Sequence, residues 1–365
     1  MQTPALRSND TAEHRPKILM LNSLDERYGS TYRIRAFEAL LRESGYAVEY
    51  LEGKNSPLNR LGSLFKAAAK NSFDLLITQK FNPVTLPAIW VARLRGKPVL
   101  VDWDDFDPGL QGSRWKRWLS YVCETIGPYF ATIITTHSEV IADRATRKGR
   151  RVVNLPQGFD DRLFSPRREK KREDRLKWGF SPKDLVVGHL CTFTDGGILD
   201  LPMILDSWAK LKQPEIHFLL IGGGPKEPQV LRMIDERDLR SRIRRTGLLS
   251  HEEVPSALNA MDVGMVFMRD TPANHARVSF KVIEYLAMNV PVVGQAVGET
   301  KRLFGTWITG SDEAHLPQTL LRVLHDRPEN DTASTLRPYR WSAIHRDLLN
   351  VISNFSMGEK NVSHV

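Results

Sequence analysis

The chain has 365 residues, a net charge of +9 and two cysteines. That length exceeds what one hydrophobic core usually supports, so two domains are expected. A hydrophobic share of 41% excludes a wholly disordered or fibrous chain, and Cys123 and Cys191 are too few for a disulfide framework or a cysteine-built zinc site.

After a polar stretch at residues 1–16, expected to be a disordered tail, strands and helices alternate. Residues 17–22 (KILMLN), 47–51 (AVEYL), 73–78 (FDLLIT), 98–102 (PVLVD), 131–136 (ATIITT) and 152–155 (VVNL) read as strands. Helices with apolar spacing fall between them, at Ile34, Phe37, Leu40 and Leu41 and over 86–94. Residues 166–182 are too charged for a core and predict a linker with a surface helix, one hinge of a closing cleft. The rhythm restarts with strands at 185–190, 217–221, 243–246, 263–268 and 291–294, and helices over 198–211 and 280–288. This pattern predicts two α/β domains, 17–165 and 183–335, each with a parallel sheet covered on both faces. A last helix within 336–365 is expected to pack back across them. Ligands in such sheets sit beyond the carboxyl ends of the strands.

The stretch 274–299, NHARVSFKVIEYLAMNVPVVGQAVGE, is the most informative. Ser279 is placed to cap a helix that carries Lys281 and Glu284. A lysine in a first turn opposes the helix dipole, and Arg277 lies just upstream. An anion such as a diphosphate bound at that N-terminus resolves the conflict. Glu284 shares a helical face with Lys281 and can accept the hydroxyl protons of a ribose. The alternative is an exposed Lys281–Glu284 ion pair of little energetic weight.

SFKVIEYLAMNVPVVG followed by VGE resembles the donor-binding signature of retaining GT-B glycosyltransferases, especially the nucleotide-sugar-dependent family 4. Other pieces follow in the same order: a glycine loop at Gly29, LPQGFDDRLFSP at 155–166, LLIGGGP at 219–225 and RRTGLLSHEEVPSALNAMDVGMVF at 244–267. The resemblance implies the GT-B fold, two Rossmann-like domains facing across a cleft, with the acceptor bound by the first and the donor by the second. It implies that Glu284 holds the donor ribose, as the second glutamate of a Glu-x7-Glu motif, and that Lys281 and Arg277 hold the diphosphate. The first glutamate falls at Ala276, and the family's Arg-x5-Lys clamp is missing from the loop CTFTDGGILDL. Thr192, Thr194 and glycine amides such as that of Gly223 would then complete the donor site, with Glu299 near its base. The implied activity moves a sugar from a nucleoside diphosphate to a hydroxyl acceptor with retention, without metal or other cofactor. A GT-B nucleotide-sugar epimerase and a non-catalytic sugar-nucleotide-binding protein are the alternatives.

In the first half, PVLVDWDDFD at 98–107 sets Asp102, Asp104, Asp105 and Asp107 at a strand's carboxyl end, where acids cannot be core. Aligned with relatives, Asp104 falls where many carry a histidine beside the acceptor. Asp104 and Asp105 are the expected catalytic pair, orienting or deprotonating an acceptor hydroxyl. A metal-binding Asp-x-Asp and a helix cap are the alternatives. Gly29, Tyr32 and Arg33 resemble acceptor-side residues, though Arg33 can also be a solvated helix residue. His137 and Ser138 read as a helix cap.

The charge is one-sided. Residues 17–165 carry 22 basic against 16 acidic residues, residues 166–182 carry 7 against 3, and residues 183–365 carry 21 against 22. No apolar run approaches the ~20 residues of a membrane span. Residues 1–16 lack the apolar core of a secretory signal, so a cytoplasmic location is expected. Leu61, Leu64, Phe65 and Ala68 on one stripe, and Trp115, Trp118 and Tyr121 among Arg114, Lys116 and Arg117, predict contact with an anionic membrane surface and a lipid-linked acceptor. Packing inside the domain is the alternative. Nucleic acid is not expected, because aromatic and basic residues interleave at that one place alone.

Overall fold

The computed structural model describes residues 15–23, 31–53, 56–326 and 332–356. The first half is built from β1 (Ile18–Asn22), α1 (Thr31–Glu43), β2 (Val48–Glu52), α2 (Pro57–Lys70), β3 (Leu75–Gln79), α3 (Leu86–Leu94), β4 (Val99–Asp102), α4 (Arg114–Ile126), β5 (Ile133–Thr136), α5 (Glu139–Thr146) and β6 (Val152–Asn154). Its six strands run parallel in the order β2-β1-β3-β4-β5-β6. Strands β1, β3, β4 and β5 are buried along their whole length, because helices cover both faces. That is why they read as unbroken apolar runs.

The second half follows α6 (Lys171–Lys177) with β7 (Leu185–Leu190), α7 (Leu201–Lys210), β8 (Ile216–Ile221), α8 (Glu227–Asp235), β9 (Ile243–Arg245), α9 (Val254–Ala260), β10 (Val263–Phe267), α10 (Pro272–Ala276), α11 (Phe280–Ala287), β11 (Val292–Gln295), α12 (Gly298–Phe304), β12 (Ile308–Gly310) and α13 (Leu316–Asp326). Its sheet, β12-β11-β10-β7-β8-β9, is also parallel. The strand order reverses between β7 and β10, the switch point at which such sheets leave a crevice. A short α14 (Ala333–Leu336) leads to α15 (Trp341–Ser356). That helix returns to the first sheet, where Leu348, Val351 and Ile352 join a core with Ile34 and Phe37.

The charged segment 166–182 is not a free linker. Arg175 is buried and donates to the Ala260 and Pro182 carbonyls and to Asp262, and Asp174 accepts from Ser256 and Asn259. It therefore belongs to the second body. The chain crosses between the bodies at 155–159 and returns beside itself. Phe159 donates to the Tyr339 carbonyl at 2.9 Å, and Trp341 donates to the Phe159 carbonyl at 3.1 Å. Gly158 allows this pairing, since a Cβ there would meet the Trp341 ring.

The bodies also touch at the floor of the cleft. An added Cβ on Gly109 would lie 2.5 Å from the Cβ of Ala273, and one on Gly112 would lie 2.9 Å from the Asp195 carboxyl. Ala276, at the end of α10, is buried within the apolar cluster of the first body.

Candidate active site

A cleft of about 1370 Å³ lies between the carboxyl ends of the two sheets. On the second body, α11 and the loop after β7 form its wall. Lys281, in the first turn of α11, is half-buried with its Nζ 3.5 Å from His189 Nε2. Nδ1 of His189 lies 2.9 Å from the Met265 carbonyl. A carbonyl only accepts, so Nδ1 carries the proton and Nε2 turns its lone pair to the lysine. Burial, then the Lys281 charge, hold His189 neutral well below its ordinary range. Burial also lowers Lys281, with Arg277 adding to the effect while Cys191, Asp200 and Glu284 oppose it. Glu284, one turn on, is pushed up to about 7 by burial, against the pull of Lys281.

Arg277 lines the same wall, 3.7 Å from Asp200, and its Nε has no hydrogen-bond partner. Thr192, Thr194, Gly196 and Gly197 complete the rim. Thr194 accepts from the Gly197 amide, and a Cβ on Gly197 would strike the Thr192 carbonyl at 2.0 Å. Lys281 and Arg277 thus share one wall of the cleft with the β7–α7 loop and the Glu284 carboxyl.

On the first body, Lys80 organises the facing wall. It adopts a left-handed backbone (φ 63°), unusual for a residue with a Cβ. Its amide donates to the Asp102 carbonyl and its own carbonyl accepts from Thr85. The buried Nζ lies 2.9 Å from Asp105, 3.0 Å from Asp107 and 3.5 Å from Asp104. Asp104 also accepts from Gln79 at 2.9 Å through Oδ2, whereas its Oδ1 accepts no hydrogen bond. Burial pushes Asp104 up to about 8; Lys80 opposes this and Asp105 adds to it. Burial acts the same way on Asp105, but Lys80 and then Arg277 outweigh it and hold that carboxyl below its usual range. Two adjacent carboxyls thus titrate apart, one poised near neutrality and one ionised. His137 faces the cleft beside them, lowered to about 4 by burial and then Arg33. Tyr32 stacks on His251 of the second body with ring centroids 4.0 Å apart, closing one end.

The cleft therefore gathers Lys281, Glu284, Arg277, Thr192, Thr194, Asp104, Asp105 and Tyr32. Three expected residues lie elsewhere. Arg33 is neither solvated nor on the acceptor side. It is fully buried, pairs twice with Asp102 at 2.7 and 3.0 Å, and donates to the Pro156 and Leu155 carbonyls, which engages four of its five N–H donors. Gly223 turns away from the cleft, its α-carbon packed on the Leu248 backbone; Gly222 takes the place at the wall. Glu299 does not reach the donor region, because its carboxylate binds the first turn of α5 and Arg302. Gly29 lies outside the described residues.

Of the proposed membrane stripes, α2 buries Leu64 and Ala68 inside the first body, whereas α4 leaves Trp115, Trp118 and Tyr121 exposed. Among the described residues, no helix is long and apolar enough to cross a membrane, and no group of three or more His, Cys, Asp or Glu could hold a metal ion. Lys80 and His189 carried no signal as cleft residues, one sitting in an ordinary polar turn and one inside an apolar strand, and His137 reads first as part of a helix cap.

Residues 185–326 match the family model described as glycosyl transferases group 1. The alpha-D-kanosaminyltransferase of Streptomyces kanamyceticus is 25% identical over 187 residues, 47% of this chain and 45% of the relative. The chain spans less than half the length of the curated relatives it matches. Sucrose-phosphate synthase from Thermosynechococcus elongatus superposes with a TM-score of 0.75 at 16% identity, over 94% of this chain and 100% of that one. Anabaena HepE, solved with UDP and glucose, gives 0.71 at 16% identity, over 93% and 100%. The chain thus has the GT-B fold, and residues 185–326 of its second body are similar to the group 1 glycosyl transferases.

Proposed function

We propose that the protein is a glycosyltransferase that moves a sugar from a nucleoside-diphosphate sugar to a hydroxyl acceptor. The observation that carries this reading is the half-buried Lys281, with Arg277 and the β7–α7 loop, facing Asp104 and Asp105 across one cleft. The diphosphate sits against Lys281 and Arg277, and Glu284 accepts from the ribose. Charge on the leaving diphosphate is met by cations and amides already in place, so no metal is required. The new bond forms between acceptor oxygen and the anomeric carbon as the bond to the diphosphate breaks, and the acceptor's proton passes to Asp104. The ionised form of Asp104 takes that proton, and a carboxyl that titrates near 8 keeps part of its population ionised at cellular pH. Retention at the anomeric carbon follows from the resemblance of the α11 motif. That a solved GT-B relative was captured with UDP and glucose supports this donor class.

We also propose that the enzyme works at the inner face of an anionic membrane on a lipid-linked acceptor. Support comes from the exposed aromatic and basic face of α4, where Trp115 and Lys116 border the cleft itself.

The test is release of nucleoside diphosphate from a panel of nucleotide sugars, with and without hydroxyl acceptors and with EDTA throughout. Acceptor-dependent release is expected, cut ~10²-fold by Asp104→Asn with donor affinity retained. A changed sugar without acceptor would mark an epimerase, and binding without turnover a non-catalytic protein.

A further inference from the structure

Glu299 and Thr300 occupy adjacent places in the first turn of α12, yet they face different parts of the molecule. Glu299 Oε1 accepts from the backbone N–H groups of Glu139 at 3.1 Å and Val140 at 3.4 Å, the first two residues of α5 in the other body. Ser138 accepts from Ile141, so the free amides of that helix end are shared between a local cap and one from across the interface. Arg302 holds the other oxygen of Glu299 at 2.6 Å and reaches Glu139 at 3.1 Å. Thr300 points to the donor side. Its hydroxyl accepts from the Ser279 amide at 2.9 Å and donates to the Arg277 carbonyl at 2.9 Å, which fixes the backbone between Arg277 and Lys281.

Gly298 makes this turn possible. Its φ is +52°, and a Cβ there would lie 2.2 Å from the His275 backbone, so α12 starts directly on α10. One rigid turn thus joins the diphosphate wall to a helix end of the opposite body.

We propose that Glu299 is a positioning residue: by capping α5 across the interface, it ties closure of the two bodies to the shape of the donor loop through Thr300. The inference rests on the donor reading above. When the bodies separate, the amides of Glu139 and Val140 and the Glu299 carboxylate lose one another, and the turn that braces Arg277 and Lys281 loses its anchor. Donor affinity and closure then share a free energy and must move together.

Spin labels at Arg147→Cys and Arg322→Cys report the distance between the bodies, and calorimetry with UDP reports the donor site. Glu299→Ala should broaden the distance distribution and weaken UDP about tenfold, the loss of one charge-assisted hydrogen-bond pair. Glu299→Gln keeps an acceptor oxygen for the two amides and should restore both. Thr300→Val should weaken UDP while leaving the distance unchanged. Wild-type behaviour of Glu299→Ala in both measurements overturns the proposal, as does Glu299→Gln matching the alanine variant. If the alanine variant folds poorly, the valine variant decides: retained UDP affinity overturns the coupling. A wild type that binds no UDP overturns the donor reading and the coupling with it, while the distance measurement still shows whether Glu299 joins the bodies.

Discussion

Removing the Lys80 ammonium by Lys80→Met is the sharpest physical test of the first body. The Nζ lies 2.9, 3.0 and 3.5 Å from three carboxyls, of which Asp104 and Asp107 are buried and Asp105 half-buried. At an effective dielectric constant of about 20, each close pair contributes roughly 5 kcal/mol before desolvation. Desolvation of the four groups takes back most of that sum. Stripping one partner from such a cluster leaves uncompensated charge and costs about 3–5 kcal/mol. For a body of this size that is roughly 6–20 °C of melting temperature.

The variant's loss should grow with pH. Without the cation, Asp105 joins Asp104 and Asp107, both already raised by burial, in having a folded pKa above its unfolded one. A raised carboxyl stabilises the fold fully below its unfolded pKa and loses that contribution as pH rises through its folded pKa. In the wild type, Asp104 is pushed up to about 8 and Asp107 is raised as well, while Asp105 is held low. The gap between variant and wild type should therefore be small near pH 4 and widen toward pH 8. Differential scanning fluorimetry at one-unit intervals reads this directly. A variant that melts within about 2 °C of wild type at pH 8, or a gap that does not change with pH, would refute the account of Lys80 as the counter-ion that keeps the cluster folded.

The donor and membrane readings carry their own tests. Lys281→Ala and Glu284→Ala should each weaken UDP by ~1–3 kcal/mol in calorimetry, the scale of a charge-assisted hydrogen bond. Because the ribose hydroxyls need the ionised form of Glu284, wild-type affinity should rise with pH and level off above about 7, and Glu284→Ala should flatten that rise. The protein should sediment with anionic but not neutral vesicles and release at high salt. Replacing Arg114, Lys116 and Arg117 with Ser should abolish sedimentation, and equal indifference to both vesicle types would point to a water-borne acceptor.

How much of this was legible in the sequence follows from the range of each interaction. The strands showed themselves because parallel strands buried on both faces are continuous apolar runs, as in ILMLN and LLITQ. Lys281 showed itself by breaking a local rule, a cation where the dipole wants an anion. The misplacements share one cause. Arg33 sits among polar helix residues, and nothing within its own turn announces that Asp102, 69 positions on, will bury it. Glu299 lies within the motif that marks the donor site, yet its partners are amides 159 and 160 positions away in the other body. Lys80 acts through a left-handed backbone that a sequence does not display.

Ala276 shows how such long-range packing alters a departure from the family pattern. Read alone, it is a missing glutamate and a lost contact to the donor sugar. In the fold it lies buried among Trp103, Ile141 and Ala145 of the first body, where a carboxylate would have no partner. One turn earlier on the same helix, Ala273 meets the turn at Gly109, the contact that closes the floor of the cleft. Closing the floor there brings Arg277 near enough to help hold Asp105 ionised. The carboxyls of one body and the cations of the other thus form a single electrostatic system. The small residue at position 276 is thus part of the packing by which the two walls meet.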